Sequence, residues 1–264
     1  MARTPTLSPT KLSTYLACPL KYRWTYLDTR GRWYLKSKSY YSFGSTLHKV
    51  LQRFHDSGDS GVEGIDHVLP ALEESWLDEG YSSSEEMQQA FGEGKEILTR
   101  YVAEELNRDR RAKTIFVEKS LRTRFEGFDL IGRIDRLDEH EDGTLEIIDY
   151  KTGRESVSTE DVQSDLAMAC YALMVRSAYP SYRVLATIVA VRSGDSATHE
   201  FSELEASEFE TDLQLLGNEI FAKNWDEVRA TGKRICSQCD FLKLCVQDPD
   251  FAIAESNSIW GAVL

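Results

Sequence analysis

The sequence offers no route into a membrane. None of its apolar runs approaches the roughly 20 residues that span a bilayer, and Met1 to Pro9 lacks the apolar stretch of a secretory signal. A cytoplasmic protein with no membrane partner is therefore expected. Cysteine is scarce. Five in 264 residues make a sparse, odd-numbered set, and disulfides are rare in a reducing compartment, so ligation of a metal or cluster is the better use for them. No internal repeat or low-complexity tract is visible. A phosphate loop is missing too: Gly92-Glu93-Gly94-Lys95 comes nearest, but Gln89 stands where such a loop needs its first glycine. The chain is not itself an ATP-driven motor, although it can still partner with one.

Acid is missing from one end only. Through residue 55 the cations are Arg3, Lys11, Lys21, Arg23, Arg30, Arg32, Lys36, Lys38, Lys49 and Arg53 against the single acid Asp28, whereas the whole chain carries a net charge of −13. The overall charge argues against whole-protein attraction to a polyanion. The basic segment, interleaved with Tyr22, Trp24, Tyr26, Trp33, Tyr34, Tyr40 and Tyr41, nevertheless has what a nucleic-acid path needs, because cations neutralise phosphates and ring faces stack on bases. A solvated helix face with ordinary core aromatics has the same composition.

At 41% hydrophobic, the chain can bury a sizeable core as one large domain. Ser8 before Pro9 signals a helix start, with Leu12, Leu16 and Leu20 following. Leu47, Val50, Leu51 and Phe54 space a second helix from about Ser42 to His55. Ser57 to Gly64 reads as a loop, and about Ile65 to Arg110 as two or three helices. From Thr114 the period changes, and Ile115 to Leu121, Phe128 to Leu137 and Leu145 to Tyr150 look like consecutive strands. A helix from about Thr159 to Tyr179, a buried strand from Val184 to Val191, a weaker one near Thr198 to Phe201 and a helix from about Glu205 to Lys223 complete the order. An α/β fold with a mixed sheet flanked by helices is expected.

Side chains alternate along a strand, so Asp149 and Lys151 share a face with Leu145 and Ile147 while Tyr150 points the other way. An apolar strand thus delivers a carboxylate and an ammonium together where it ends. Phosphodiester hydrolysis needs a divalent cation to polarise the phosphoryl oxygen and acidify water, and Mg²⁺ prefers carboxylates plus water. Asp135 and Asp149 supply that charge, and Lys151 would position or deprotonate the attacking water and offset transition-state charge. Asp-x-Lys alone is equally an ordinary surface ion pair. Among the cysteines, Cys236, Cys239 and Cys245 lie close in sequence and Cys18 is remote. Three near thiols and a distant fourth can form the shell of a [4Fe–4S] cluster. Structural zinc more often uses two local pairs. Cys170, between Leu166, Ala169 and Leu173, reads as a core residue.

Gly132-Arg133-Ile134-Asp135-Arg136, followed one hairpin later by Ile147-Ile148-Asp149-Tyr150-Lys151-Thr152-Gly153, resembles the RecB-like branch of the PD-(D/E)XK nucleases, which includes the AddB nuclease domain and the CRISPR-associated exonucleases. The resemblance implies that Asp135 and Asp149 are ligands of Mg²⁺ or Mn²⁺, that the Tyr150 carbonyl adds another, and that Lys151 is catalytic. It also makes His48, in Phe43-Gly44-Ser45-Thr46-Leu47-His48, a metal ligand. Relatives carry a Gln one turn before a Tyr on the helix after the catalytic strand. Tyr171 matches the Tyr and is a candidate for positioning Lys151 or DNA, but Ala167 stands at the Gln position and the nearest Gln is Gln163. Glu118 lies where relatives often have a Glu, and by itself reads as a surface strand residue. One N-terminal Cys followed by Pro and three C-terminal ones also match, which implies a [4Fe–4S] cluster on Cys18, Cys236, Cys239 and Cys245.

The implied fold is restriction-endonuclease-like, with the N- and C-terminal segments joined at the four cysteines. The expected plan is one nuclease domain over 1–264: an N-terminal helical segment (1–56), a helical insertion (57–112), a catalytic core (113–202), a C-terminal helix with the three-cysteine segment (203–250) and a tail (251–264). The implied activity is metal-dependent hydrolysis of DNA, expected to be exonucleolytic, in repair, recombination or CRISPR adaptation. Implied partners are DNA with a single-stranded region and a helicase or integrase-like complex. The rival readings are a non-catalytic iron–sulfur DNA-binding or scaffold subunit and a zinc-stapled interaction module.

Overall fold

The computed structural model describes residues 4–56, 64–107, 112–153, 155–248 and 251. Strand β1 (Thr6–Leu7) is followed by α1 (Pro9–Ala17) and α2 (Pro19–Tyr22). Ser8 caps α1 by accepting the Lys11 N–H, and Pro9 occupies its first turn. A residue before proline is pushed out of helical space, so Cys18 is extended and the helix ends there. After a π-helical turn (Arg23–Leu27) and a 3-10 turn (Thr29–Trp33) come α3 (Ser39–His55), α4 (Val68–Ser75) and α5 (Ser84–Asn107). The chain continues with β2 (Ala112–Arg124), β3 (Asp129–His140), β4 (Leu145–Lys151), α6 (Thr159–Ser164), α7 (Leu166–Ala178), β5 (Val184–Ala190), β6 (Asp195–His199), α8 (Glu203–Ala222) and α9 (Leu242–Cys245). The expected loop over 57–64 lies, but for Gly64, outside the described residues, as do residues 108–111 near the end of the expected helix and the tail after Phe251.

The helix expected over 159–179 is two helices. Asp165 takes an extended conformation between them, and its carboxylate accepts from the Ala167 and Met168 N–H groups, starting α7 afresh. Gly92 to Lys95 lie inside α5, in a helix and not a phosphate-binding loop. No described helix is long and apolar enough to cross a membrane.

The sheet runs β1-β3-β4-β5-β6, with β2 also paired to β3. Strands β2, β3 and β4 form an antiparallel meander, β4 and β5 are parallel, and β6 returns antiparallel to β5. A parallel neighbour requires a crossover, and α6 and α7 supply it. The sheet is thus mixed and flanked by helices, the α/β architecture expected from the sequence. Its two faces follow from the alternation along β4. Leu145 and Ile147 join Met168, Ala172 and Val175 of α7 in one core, while Ile148 and Tyr150 join Leu47, Leu51, Leu98 and Tyr101 of α3 and α5 in the other.

The described residues divide into two compact units: a larger one of Ser37–Leu215 with the chain start to Thr6, and a smaller one of Leu7–Lys36 with the chain from Leu216 on. Within the smaller unit Tyr22 stacks on Trp225 with ring centroids 5.4 Å apart, and the Tyr15 hydroxyl donates to Glu219. Arg23 donates to the Trp225 carbonyl and pairs with Asp226. Tyr22 is therefore a core aromatic, 2% exposed, whereas Trp33 is 77% exposed. The aromatic residues of the basic segment thus divide between core and surface positions.

Candidate active site

The larger unit holds the candidate site residues at the end of β4. Asp149 is buried on the α7 face, and Lys151 Nζ lies 2.7 Å from its Oδ2 and 4.0 Å from Asp165 Oδ2. On β3 next door, Asp135 Oδ2 accepts the Tyr150 N–H at 2.9 Å. Helix α3 comes close to this strand end because Gly44 has no side chain: a Cβ there would stand 3.0 Å from Thr152 Oγ1. One turn further, His48 Nε2 lies 3.0 Å from the Tyr150 carbonyl oxygen, and Nδ1 lies 3.4 Å from Asp135 Oδ2 and 3.6 Å from Glu118 Oε1. The glycine in Phe43-Gly44-Ser45-Thr46-Leu47-His48 thus leaves room for Thr152 where the helix brings the histidine to the strand.

Glu118 corrects a reading made from its strand position. It is no surface residue: its side chain is only 10% exposed and it belongs to the one group of three metal-capable side chains among the described residues, with His48 and Asp135, all ligand atoms within 4.8 Å of one another. The ladder pairs Val117 with Arg136 and Lys119 with Ile134, so Glu118 lies opposite Asp135. Its φ of 48° is left-handed, a strain that clusters at functional sites. Asp165 was also missed, because its place between two helices became visible only with the break before α7.

Tyr171 packs directly over Gly132, where a Cβ would meet its Cε1 at 2.9 Å and Met174 Sδ at 3.0 Å. Burial first, and then the charges of Asp149 and Asp135, push its phenol well above the ordinary range. Gln163 is elsewhere, on α6, donating to Glu205 Oε1 at 2.9 Å.

The electrostatics favour a cation. Burial opposes charge on His48, yet hydrogen bonding to Asp135 and Glu118, reinforced by Asp149, raises it to about 10. Burial raises Asp149 to about 6, Lys151 pulls it down and Asp135 pushes it up. Asp149 Oδ2 is buried without a well-directed hydrogen bond despite the nearby ammonium. Two ligands about 2.0–2.1 Å from one Mg²⁺ lie at most about 4.2 Å apart, and both His48–carboxylate separations fall inside that limit. The carboxylates of the donor set fit a hard divalent cation such as Mg²⁺ or Mn²⁺, to which His48 would add one nitrogen ligand. A groove of about 1090 Å³ opens over these residues, with Lys49, Arg133 and Arg192 among its walls.

Behind the strand, Tyr150 is held by its hydroxyl. Arg136 Nη1 donates to Tyr150 Oη at 3.0 Å and stands 2.7 Å from His55 Nε2, Nη2 lies 2.9 Å from Asp138, and Tyr101 donates to Tyr150 Oη at 3.0 Å. The Arg of the Gly-x-Ile-Asp-Arg strand therefore anchors the residue whose backbone touches both Asp135 and His48.

None of the five cysteines forms a disulfide. In the smaller unit Cys18, Cys236 and Cys245 pack on Leu20, Ala230 and Phe251. Burial, followed by Cys239, Cys18 and Cys236, pushes Cys245 up to about 12. The four thiols are thus near enough to act on one another electrostatically, although they form no group as tight as His48, Glu118 and Asp135. Three of the four thiols share one apolar patch, and among the described residues the four form no group of ligand atoms within 4.8 Å of one another. Cys170 is fully buried in α7.

Comparison with curated proteins finds no match. Among solved structures, that of SSO0001 matches at 13% identity with a TM-score of 0.35, covering 94% of this chain and 89% of that one. A family model for the PD-(D/E)XK nuclease superfamily matches residues 6–246. With that match across most of its length, the chain belongs to the PD-(D/E)XK nuclease superfamily.

Proposed function

We propose that this protein is a DNA nuclease of the RecB-like branch that hydrolyses phosphodiester bonds with Mg²⁺ or Mn²⁺, acting as an exonuclease. The observation that carries the reading is the convergence of His48, Glu118 and Asp135 on one point beside Asp149 and Lys151. His48, Asp135 and Asp149 hold the metal, with the Tyr150 carbonyl as a further ligand and Glu118 added to the set. A divalent cation bound there supplies Lewis acidity towards the phosphoryl oxygen. Lys151, held by Asp149, orients the attacking water and faces the negative charge that develops on the phosphate. Tyr171 closes the site over Gly132 and positions Lys151. In the smaller unit, Cys18, Cys236, Cys239 and Cys245 bind a [4Fe–4S] cluster, supported by their spacing and mutual electrostatic influence. DNA repair, recombination or CRISPR adaptation, beside a helicase or integrase-like complex, is the setting this branch suggests.

The test is cleavage of end-labelled single- and double-stranded DNA by protein purified without oxygen, with Mg²⁺ or Mn²⁺. Lys151→Ala is expected to lower the rate at least about 100-fold with folding and iron content unchanged. Asp135→Ala and Asp149→Ala should weaken Mn²⁺ binding as well as rate. Undiminished cleavage by the Lys151 variant overturns the assignment.

A further inference from the structure

The groove above the acidic residues begins at two exposed rings that the hydrolytic chemistry does not use. Tyr40 and Tyr41 open α3, are 61% and 64% exposed, and hold their ring centroids 4.4 Å apart. Both line the same groove as His48, Glu118 and Asp135. Phe43 and Leu47 of the same helix are buried in the core, whereas Tyr40 and Tyr41 line the groove with most of their surface exposed. Tyr41 and His48 are seven residues apart on one helix face, about 10 Å along its axis. That is no more than about three nucleotide steps at the 3.4 Å spacing of stacked bases.

We propose that Tyr40 and Tyr41 form a base-stacking subsite that grips an unpaired nucleotide within three steps of the cleaved phosphate, selecting single-stranded DNA. A ring face can stack only on a base whose own face is free, and in a duplex both faces of each base are covered by neighbours. Lys49 and Arg133, which line the same groove, supply charge for the phosphates of a strand lying in it. The rings then bind the base and the cations carry the backbone, so a strand enters from the helix start and presents its phosphodiester to Asp135 and His48. The proposal rests on the nuclease reading and adds to it a strand preference and a register.

Binding is the readout, so that no cleavage is required. Fluorescence anisotropy of a labelled 20-mer of thymidylate in metal-free buffer compares the parent, Tyr40→Ala/Tyr41→Ala and Tyr40→Phe/Tyr41→Phe, with thermal melting as the control for folding. The alanine pair should lose about 10-fold or more in affinity, within the range of lost base–aromatic stacking, while the phenylalanine pair stays within about two-fold of the parent. An oligonucleotide made wholly of abasic sites should bind the parent as weakly as the thymidylate strand binds the alanine pair, and the alanine pair should no longer distinguish the two strands. Affinity for a blunt duplex should be the same in all three proteins. Parental affinity in the alanine pair, or full discrimination against abasic strands by it, overturns the subsite. An equal loss on duplex overturns the strand preference, and a gain or loss confined to binding of another protein assigns the rings to a protein partner. If the parent neither binds nor cleaves DNA, the nuclease reading falls and this falls with it; Lys151-dependent cleavage with indifferent tyrosine variants removes the subsite alone.

Discussion

Glu118 is held in a left-handed conformation in the middle of β2, which costs a residue bearing a Cβ about 1–2 kcal/mol. Its carboxylate stands beside His48 and pairs with Arg133, so the strain coincides with the group that gathers at the site. Glycine adopts the same φ freely. Glu118→Gly is therefore expected to leave the melting temperature unchanged or a few degrees higher, while Mn²⁺ affinity and cleavage both fall. A lower melting temperature with unchanged metal affinity would show that the side chain holds the fold and not the site. The difference between Glu118 and its neighbours explains what could be read in advance. Asp149 and Lys151 announce themselves because regular strand alternation sets their direction from sequence alone, and Asp135 does so through the Gly-x-Ile-Asp-Arg pattern of its strand. Glu118 breaks the regular geometry, and a rule built on period two cannot see a residue whose backbone departs from it.

At the scale of elements, β3, β4, α3 and α5 are joined behind the site by one buried charge. Arg136 is 6% exposed and faces Asp138 and Glu105 as well as the phenols of Tyr101 and Tyr150 and the His55 ring. Burial works against its charge, and the two phenols and two carboxylates outweigh that and raise it above the usual guanidinium range. Removing it leaves two buried carboxylates without their counter-charge, a loss of about 3–5 kcal/mol. Arg136→Met, similar in length and apolar, should lower the urea midpoint by a corresponding amount and reduce cleavage through a displaced Tyr150 backbone; Tyr150→Phe should cost only about 1–2 kcal/mol and retain activity. A Met variant as stable as the parent would show that the network carries no net stabilisation. The strands and most helices were legible because hydrophobic period reports a buried face. The two helix breaks were less so: Cys18-Pro19 and Asp165 end helices through local backbone chemistry, and apolar spacing runs straight across both.

For the whole molecule, the relevant fact is that the smaller unit is assembled from the two ends of the chain. Cys18 and Cys236 are 218 residues apart in sequence, and a shared cluster would close nearly the entire chain into one loop. By analogy with a covalent cross-link, such a closure restricts the unfolded chain by roughly 5 kcal/mol, comparable with the net stability of many domains. Hydrolysis of a phosphodiester moves no electrons between substrate and protein, so the nuclease chemistry gives a cluster no redox task, and its contribution is to stability. Cys18→Ala should consequently lose iron, melt at a lower temperature and expose the Leu7–Lys36 segment to protease, with cleavage falling as a consequence of that loosening. Cys170→Ala removes a thiol that is buried in α7 of the larger unit, and it should keep the parental iron content at a small cost in stability. Iron and sulfide analysis of protein purified without oxygen, together with calorimetric melting, reads both variants. If Cys18→Ala retained full iron and the parental melting temperature, Cys18 would not be a ligand, and the two chain ends would be held together by packing such as Tyr22 on Trp225 alone.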